Sequence, residues 1–257
     1  MNNTNKIPSI PCIILTTSEE MDIYNKKVTE AKFLPYSKTD NFKEYLLKVI
    51  SAYRSGYKEF YSELLFSIDP GEKSGLMVFL DGYYLVSHCC YTKKDLLYKI
   101  SRYVYYFQKN NPELIKLTFK FGRGILKMAQ ELVQDIINMY INRDNMHIFL
   151  IDEFKSSKIK INNRRKEKKI SKDEASALIL ALRNGIEVDQ NNLENIFNKI
   201  RSSKFKKKDF KFKKSENSHE EASVINDIVK KILNGKLSLY KSIEIIKQSK
   251  LNNNYIL

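Results

Sequence analysis

The chain has no tryptophan, only three cysteines and three histidines, and fewer acids than bases: 30 Asp+Glu against 45 Lys+Arg. Each shortage excludes something. Three cysteines at Cys12, Cys89 and Cys90 are too few and too unevenly spaced for a zinc site or a disulfide framework. Cys89 and Cys90 are neighbours in an extended run, so they point to opposite faces, and all three read as reduced core or surface residues. His88, His147 and His219 show neither ligand nor triad spacing, which leaves them structural or surface roles. No Gly-Lys-Ser/Thr sequence exists, so a P-loop is excluded. No apolar run approaches the ~20 residues needed to span a bilayer, and MNNTNKIPSIPCIIL lacks the long apolar stretch of a signal peptide. These absences lead us to expect a soluble, cytoplasmic protein. The lack of tryptophan, beside abundant Asn, Lys, Ile and Tyr, looks like codon bias of an AT-rich genome.

What is present is a chain able to bury a core. Hydrophobic residues make up 42% and aromatics 12% of 257 residues, which rules out overall disorder. The net charge of +15 favours a polyanionic partner, with nucleic acid ahead of an anionic membrane.

Periodicity divides the chain into three parts: 1–63, an extension with one strand (Ile10 to Leu15) and a helix starting near Asp40 or Asn41; 64–190, an α/β domain; and 191–257, a basic linker with C-terminal helices. In the central part, Phe66–Ile68 leads into Asp69, and Pro70-Gly71 breaks the strand. Leu76–Leu80 and Tyr83–Ser87 flank Asp81-Gly82, a strong two-residue hairpin signal. A helix from Thr92 to about Lys109, a strand from Leu114 to Phe121, a helix from Ile125 to Ile141, a strand from His147 to Phe154 and a helix from Lys172 to Arg183 follow. Strand–helix alternation predicts parallel pairing in the later part, hence an α/β fold with a mixed five-stranded sheet covered on both faces. Helices are expected from Glu220 to Leu233 and from Leu237 to Gln248.

Acids gather where such a sheet carries its chemistry, at the carboxyl ends of strands. Asp69 ends the first strand, Asp152-Glu153 end the last, and Asp173 and Glu174 open the helix that packs back over the sheet. Taken singly, Asp69 could serve as a turn residue, Asp152-Glu153 as a solvated strand end, and Asp173 as a complement to a helix dipole. Together, such carboxylates repel unless cations lie between them. Carboxylate oxygens suit Mg²⁺ or Mn²⁺, and two such ions can clamp a phosphodiester.

Two basic segments would hold the polyanion. KSSKIKINNRRKEKKISK, 155–172, has nine Lys/Arg and one Glu and joins the second acid to the third. Its Lys155, Lys158, Arg164, Arg165 and Lys166 are candidate phosphate contacts. In 199–214, Lys206, Lys207 and Lys208 stand among Phe205, Phe210 and Phe212, a pattern suited to stacking unpaired bases. Lys73 and Arg123 lie where they could reach phosphate beside Asp69.

The order of elements and three motifs resemble the ribonuclease H-like superfamily, in particular RuvC-type Holliday junction resolvases and YqgF-type nucleases. Ile68-Asp69-Pro70-Gly71 with Gly75 resembles the opening strand with its metal-ligand Asp. Ile151-Asp152-Glu153-Phe154-Lys155-Ser156-Ser157 resembles the stretch carrying the second acid. Asp173-Glu174-Ala175-Ser176-Ala177-Leu178-Ile179-Leu180 resembles the helix carrying the last. Phe121-Gly122-Arg123-Gly124 stands where the YqgF branch has a glycine turn. The resemblance spans about residues 64–188. It implies Asp69, Glu153 and Asp173 as the catalytic, metal-binding set, with two Mg²⁺ or Mn²⁺ ions and Asp69 as their bridge. It implies an endonuclease for branched DNA, and makes a homodimer plausible. An RNA-processing nuclease or a non-catalytic nucleic-acid-binding module are the alternatives. The chain departs from the RuvC pattern at Ser176, where those enzymes often carry a second Asp; Glu174 could compensate.

Overall fold

The computed structural model describes residues 12–24, 30–109, 111–153, 170–202 and 218–253, with the side chains of 22–24, 218–223 and 249–253 left out. The chain forms two compact units, 1–59 and 60–257.

In the first unit, β1 (Ile13–Thr17) pairs in parallel with β2 (Lys32–Tyr36), with α1 (Ser18–Tyr24) between them in sequence. The expected strand starts later than Ile10, and neither α1 nor β2 was anticipated. Helix α2 (Phe42–Ser55) begins where the Asn41 side chain accepts from the Lys43 and Glu44 backbone N–H groups. It ends at Gly56, whose φ of 79° suits glycine. The Tyr45 hydroxyl ties α2 to β2 by donating to the Leu34 carbonyl at 3.0 Å.

The second unit is built on a six-stranded sheet. Its strands are β3 (Glu63–Asp69), β4 (Ser74–Leu80), β5 (Tyr83–Cys90), β6 (Lys116–Gly122), β7 (Met146–Ile151) and β8 (Ile186–Val188), in the spatial order β5-β4-β3-β6-β7-β8. β4 runs antiparallel to both β3 and β5; β6 and β7 run parallel to β3; β8 closes the far edge antiparallel to β7. The sheet is therefore mixed, as expected, but has six strands rather than five. The sixth is three residues, too short to show a period of two. The hairpin forms at Asp81-Gly82, where both residues have positive φ (48° and 78°), as a type I′ turn needs.

Side-chain alternation divides this sheet into two faces. Leu64, Phe66, Ile68, Leu76, Val78, Leu117, Phe119, Phe121, Ile148 and Leu150 pack on one side against α3 (Lys93–Gln108), α4 (Leu126–Met139) and α6 (Leu193–Ser202). Helix α6 was not expected, although Leu193, Ile196, Phe197 and Ile200 carry the helical spacing. Leu65, Met77, Phe79 and Tyr84 face the other side, under α5 (Lys172–Ala181), α7 (Ser218–Leu233) and α8 (Leu239–Asn253). Two of the histidines have side-chain partners: His88 Nε2 lies 2.7 Å from the Tyr103 hydroxyl, and His147 Nδ1 lies 2.8 Å from Glu187 on β8.

Helix α5 is fixed at three points. At its start the backbone of Asp173 lies against Gly75 so closely that a Cβ there would overlap it. In the middle, Ser67 Oγ donates to the Ala177 carbonyl at 2.7 Å. At its end, Lys120 Nζ donates to the carbonyls of Ala181 (2.6 Å) and Arg183 (2.8 Å), and burial pushes the Lys120 amine down to about 8. Ser171 and Glu174 form a reciprocal capping box.

Candidate active site

Asp69 shares strand parity with Leu65 and Ser67, so its carboxylate stands on the α5 face. Its cross-strand partner is Gly75, and Gly75 in turn pairs with Cys89. Because Gly75 offers no side chain, the first turn of α5 settles onto the sheet and delivers Asp173 beside Asp69. Cys89 Sγ lies 4.0 Å from Asp173 Oδ2.

Glu153 arrives from the other side. It follows the end of β7 and lies over the Gly122–Gly124 turn after β6. The Gly124 N–H donates to Glu153 Oε1 at 2.8 Å, and a Cβ at Gly122 or Gly124 would overlap the carboxylate. Its neighbour Asp152 is exposed and turned away: its Oδ2 lies 2.6 Å from Arg123 Nη2, and its carbonyl accepts from Arg183 Nη1 at 2.6 Å. The glycine turn thus does two jobs, seating Glu153 through backbone and pairing Asp152 through Arg123.

Electrostatics tie these acids together. Burial first, then the charge of Glu153, and more weakly that of Asp173, push the Asp69 carboxyl up from 3.8 to about 7. The Ser176 hydroxyl donates to Asp69 and, with the charge of Lys172, pulls the other way. Burial also raises Glu153, with repulsion from Asp152 adding to it and the Gly124 N–H and Arg183 opposing. Glu174 is buried and spends its carboxylate on the Ser171 backbone N–H, at 2.8 Å, inside the capping box.

Three acids from three elements are thus brought to one sheet edge, and a hydroxyl, not a carboxylate, is the α5 group bonded to Asp69. Among the described residues, no three His, Cys, Asp or Glu side chains form a group able to hold a metal ion. The oxygen donors and the mutual repulsion fit a hard divalent cation; the present side-chain arrangement does not enclose one. Lys73 Nζ lies 5.3 Å from the Tyr91 ring centre, and its charge acts on Cys89. Lys155, Lys158, Arg164, Arg165, Lys166, Lys206, Lys207 and Lys208 lie outside the described residues. Ser176 and Gly124 carry much of the site, and only their places in the quoted motifs could have flagged them. Arg183 and Cys89 gave no signal in the sequence.

Among known proteins, no family model and no curated sequence matches the chain. No helix among the described residues is long and apolar enough to cross a membrane.

Proposed function

We propose that the chain is a Mg²⁺-dependent endonuclease of the ribonuclease H-like type that cuts branched DNA. The observation that carries this reading is the convergence of Asp69, Glu153 and Asp173 from β3, the end of β7 and the start of α5, where the charges of Glu153 and Asp173 add to burial in raising Asp69 to about 7. Such repulsion costs stability unless a cation offsets it. The strand order supports the same reading: a three-strand meander with its first strand central, then two strands parallel to it. Asp69, Glu153 and Asp173 would hold the metal. Mg²⁺ bound there supplies a Lewis acid for the phosphoryl oxygen and a lowered pKa for attacking water. Ser176 orients the Asp69 carboxylate, and Gly124 fixes the Glu153 oxygen. Arg123 pairs with Asp152 and holds that carboxylate away from Glu153's place in the site.

The test is cleavage of a labelled four-way DNA junction, a linear duplex and a structured RNA, each with Mg²⁺, Mn²⁺ or EDTA. Paired symmetric nicks in the junction, lost with EDTA and in Asp69→Asn, are the expected result, with junction binding retained in the variant. Cutting of RNA alone moves the chain to RNA processing. Salt-sensitive binding without cleavage of any substrate overturns the enzyme reading and leaves a binding module.

A further inference from the structure

The helix that leaves the candidate site carries an aromatic stripe that the fold does not use. Tyr91 stands at the entry of α3, one residue past the end of β5, and is 67% exposed; Tyr98 and Tyr105 follow at steps of seven, 59% and 65% exposed. Tyr98 and Tyr105, seven apart within α3, lie on one side of the helix with ~20° of drift and about 10 Å apart along it, while Tyr91 precedes the N-cap Thr92. The core of α3 is made by Leu96, Ile100, Val104 and Phe107 instead.

Each of the three rings has a cation beside it, although Lys109 lies equally close, at 5.9 Å, to the ring of Tyr106. Lys73 Nζ is 5.3 Å from the Tyr91 ring centre, Arg102 Cζ 5.8 Å from that of Tyr98, and Lys109 Nζ 5.9 Å from that of Tyr105. In the helix the pairs repeat as Tyr-x-x-x-Arg/Lys, one turn apart. Lys73 sits on the β3–β4 turn directly after Asp69, so the row of pairs starts at the edge of the sheet that bears the acids. A groove of about 670 Å³ between α3 and α4 has Tyr98 in its wall.

We propose that this outer face of α3 is a stacking platform for single-stranded nucleic acid, leading an unpaired strand toward the Asp69 edge. The occupant follows from the chemistry. Exposed rings beside cations suit a ligand with both flat faces and negative charge, and an unpaired strand presents bases and phosphates together. A duplex offers the phosphates but keeps its bases stacked internally, and an acidic peptide offers charge without the flat faces. The chain's net charge of +15 supports a polyanion. The proposal goes beyond cleavage and stands whether or not Asp69 serves a metal.

The experiment uses the full-length Asp69→Asn protein, so that no substrate is consumed. Fluorescence anisotropy is measured with a labelled single strand, a duplex of equal length and polyglutamate, at one salt concentration. Tyr91→Ala, Tyr98→Ala and Tyr105→Ala are each expected to weaken single-strand binding on the order of tenfold and to leave duplex binding unchanged. The corresponding Tyr→Phe variants, which keep the ring, are expected to bind like the parent and to report any loss due to folding. Because the chain lacks tryptophan, quenching of its tyrosine emission by the single strand gives a second readout. Equal loss for duplex and single strand, or no loss for either, overturns the platform. Tyrosine-dependent binding of polyglutamate without single-strand binding also overturns it, and assigns an acidic protein. Absence of cleavage in the wild type would sink the enzyme reading and leave this result standing.

Discussion

Burial and two neighbouring acids raise the Asp69 carboxyl from 3.8 to about 7 in the metal-free fold. The sign of the consequence follows. Between those two values the folded chain keeps a proton that the unfolded chain has released, so stability falls as pH rises through that window and levels off above it. In EDTA, Asp69→Asn should remove most of that slope and exceed the wild type in stability above pH 7. The gain should be about 1–2 kcal/mol, since part of the group meets solvent, which is roughly 2–8 °C in Tm. Mg²⁺ should reverse the ranking, raising the wild-type Tm and leaving the variant unmoved; thermal melts across pH with and without Mg²⁺ check both parts. An identical Mg²⁺ shift in both proteins would remove Asp69 from the ligand set. The acids themselves were legible in the sequence, because each ends a strand or opens a helix. Their fine arrangement was not. Whether Asp152 or Glu153 turns inward depends on the Gly124 N–H and on Arg123, contacts made across about 30 residues of chain, and no local pattern encodes them.

Among the elements, α5 sets the position of Asp173, and two glycines near it predict opposite outcomes. At Gly75 the obstacle to a Cβ is the backbone of Asp173 and Glu174, which cannot yield without lifting the first turn of the helix. Gly75→Ala should therefore cost about 1–3 kcal/mol in denaturant unfolding and reduce metal-dependent cleavage as well. At Gly124 the obstacle is the free end of a side chain, Glu153, which can swing away. Gly124→Ala should leave the unfolding midpoint almost unchanged while lowering cleavage on the order of a hundredfold, the scale expected for misplacing a reacting group by about 1 Å. Equal destabilisation by the two substitutions would refute this division. Long elements with clear periods were readable: Asn41, Thr92 and Ser171 cap their helices through side chains of the favoured types. Short ones were not. β8 is specified by its pairing with Ile148, Phe149 and Leu150 on β7, not by its own three residues, and β2 by its register with β1.

For the molecule as a whole, charge and packing separate along the chain. The densest basic stretches, 155–172 and 199–214, fall mostly outside the described residues, whereas the apolar helices α7 and α8 lie firmly within the fold. Val229, Ile232 and Leu239 are fully buried with Leu65, Met77 and Phe79. The Leu239 N–H donates to the Gly82 carbonyl at 2.7 Å, and the Tyr240 hydroxyl bonds Glu63. The C-terminal helices thus form part of the layer that covers the sheet face bearing Asp69, and the β4–β5 hairpin needs Gly82 partly because the Tyr240 ring rests against it. Two views of these helices make different predictions. If they were an appended binding arm, truncating a buried side chain would change affinity and spare stability. As part of the core they should behave in reverse: Leu239→Ala should cost about 2–5 kcal/mol, a large share of the ~5–15 kcal/mol that holds a typical domain together. Urea unfolding followed by tyrosine emission measures this directly, and binding of nucleic acid by the folded fraction should stay at the wild-type level. An unchanged midpoint with weakened binding would return the helices to the role of an arm.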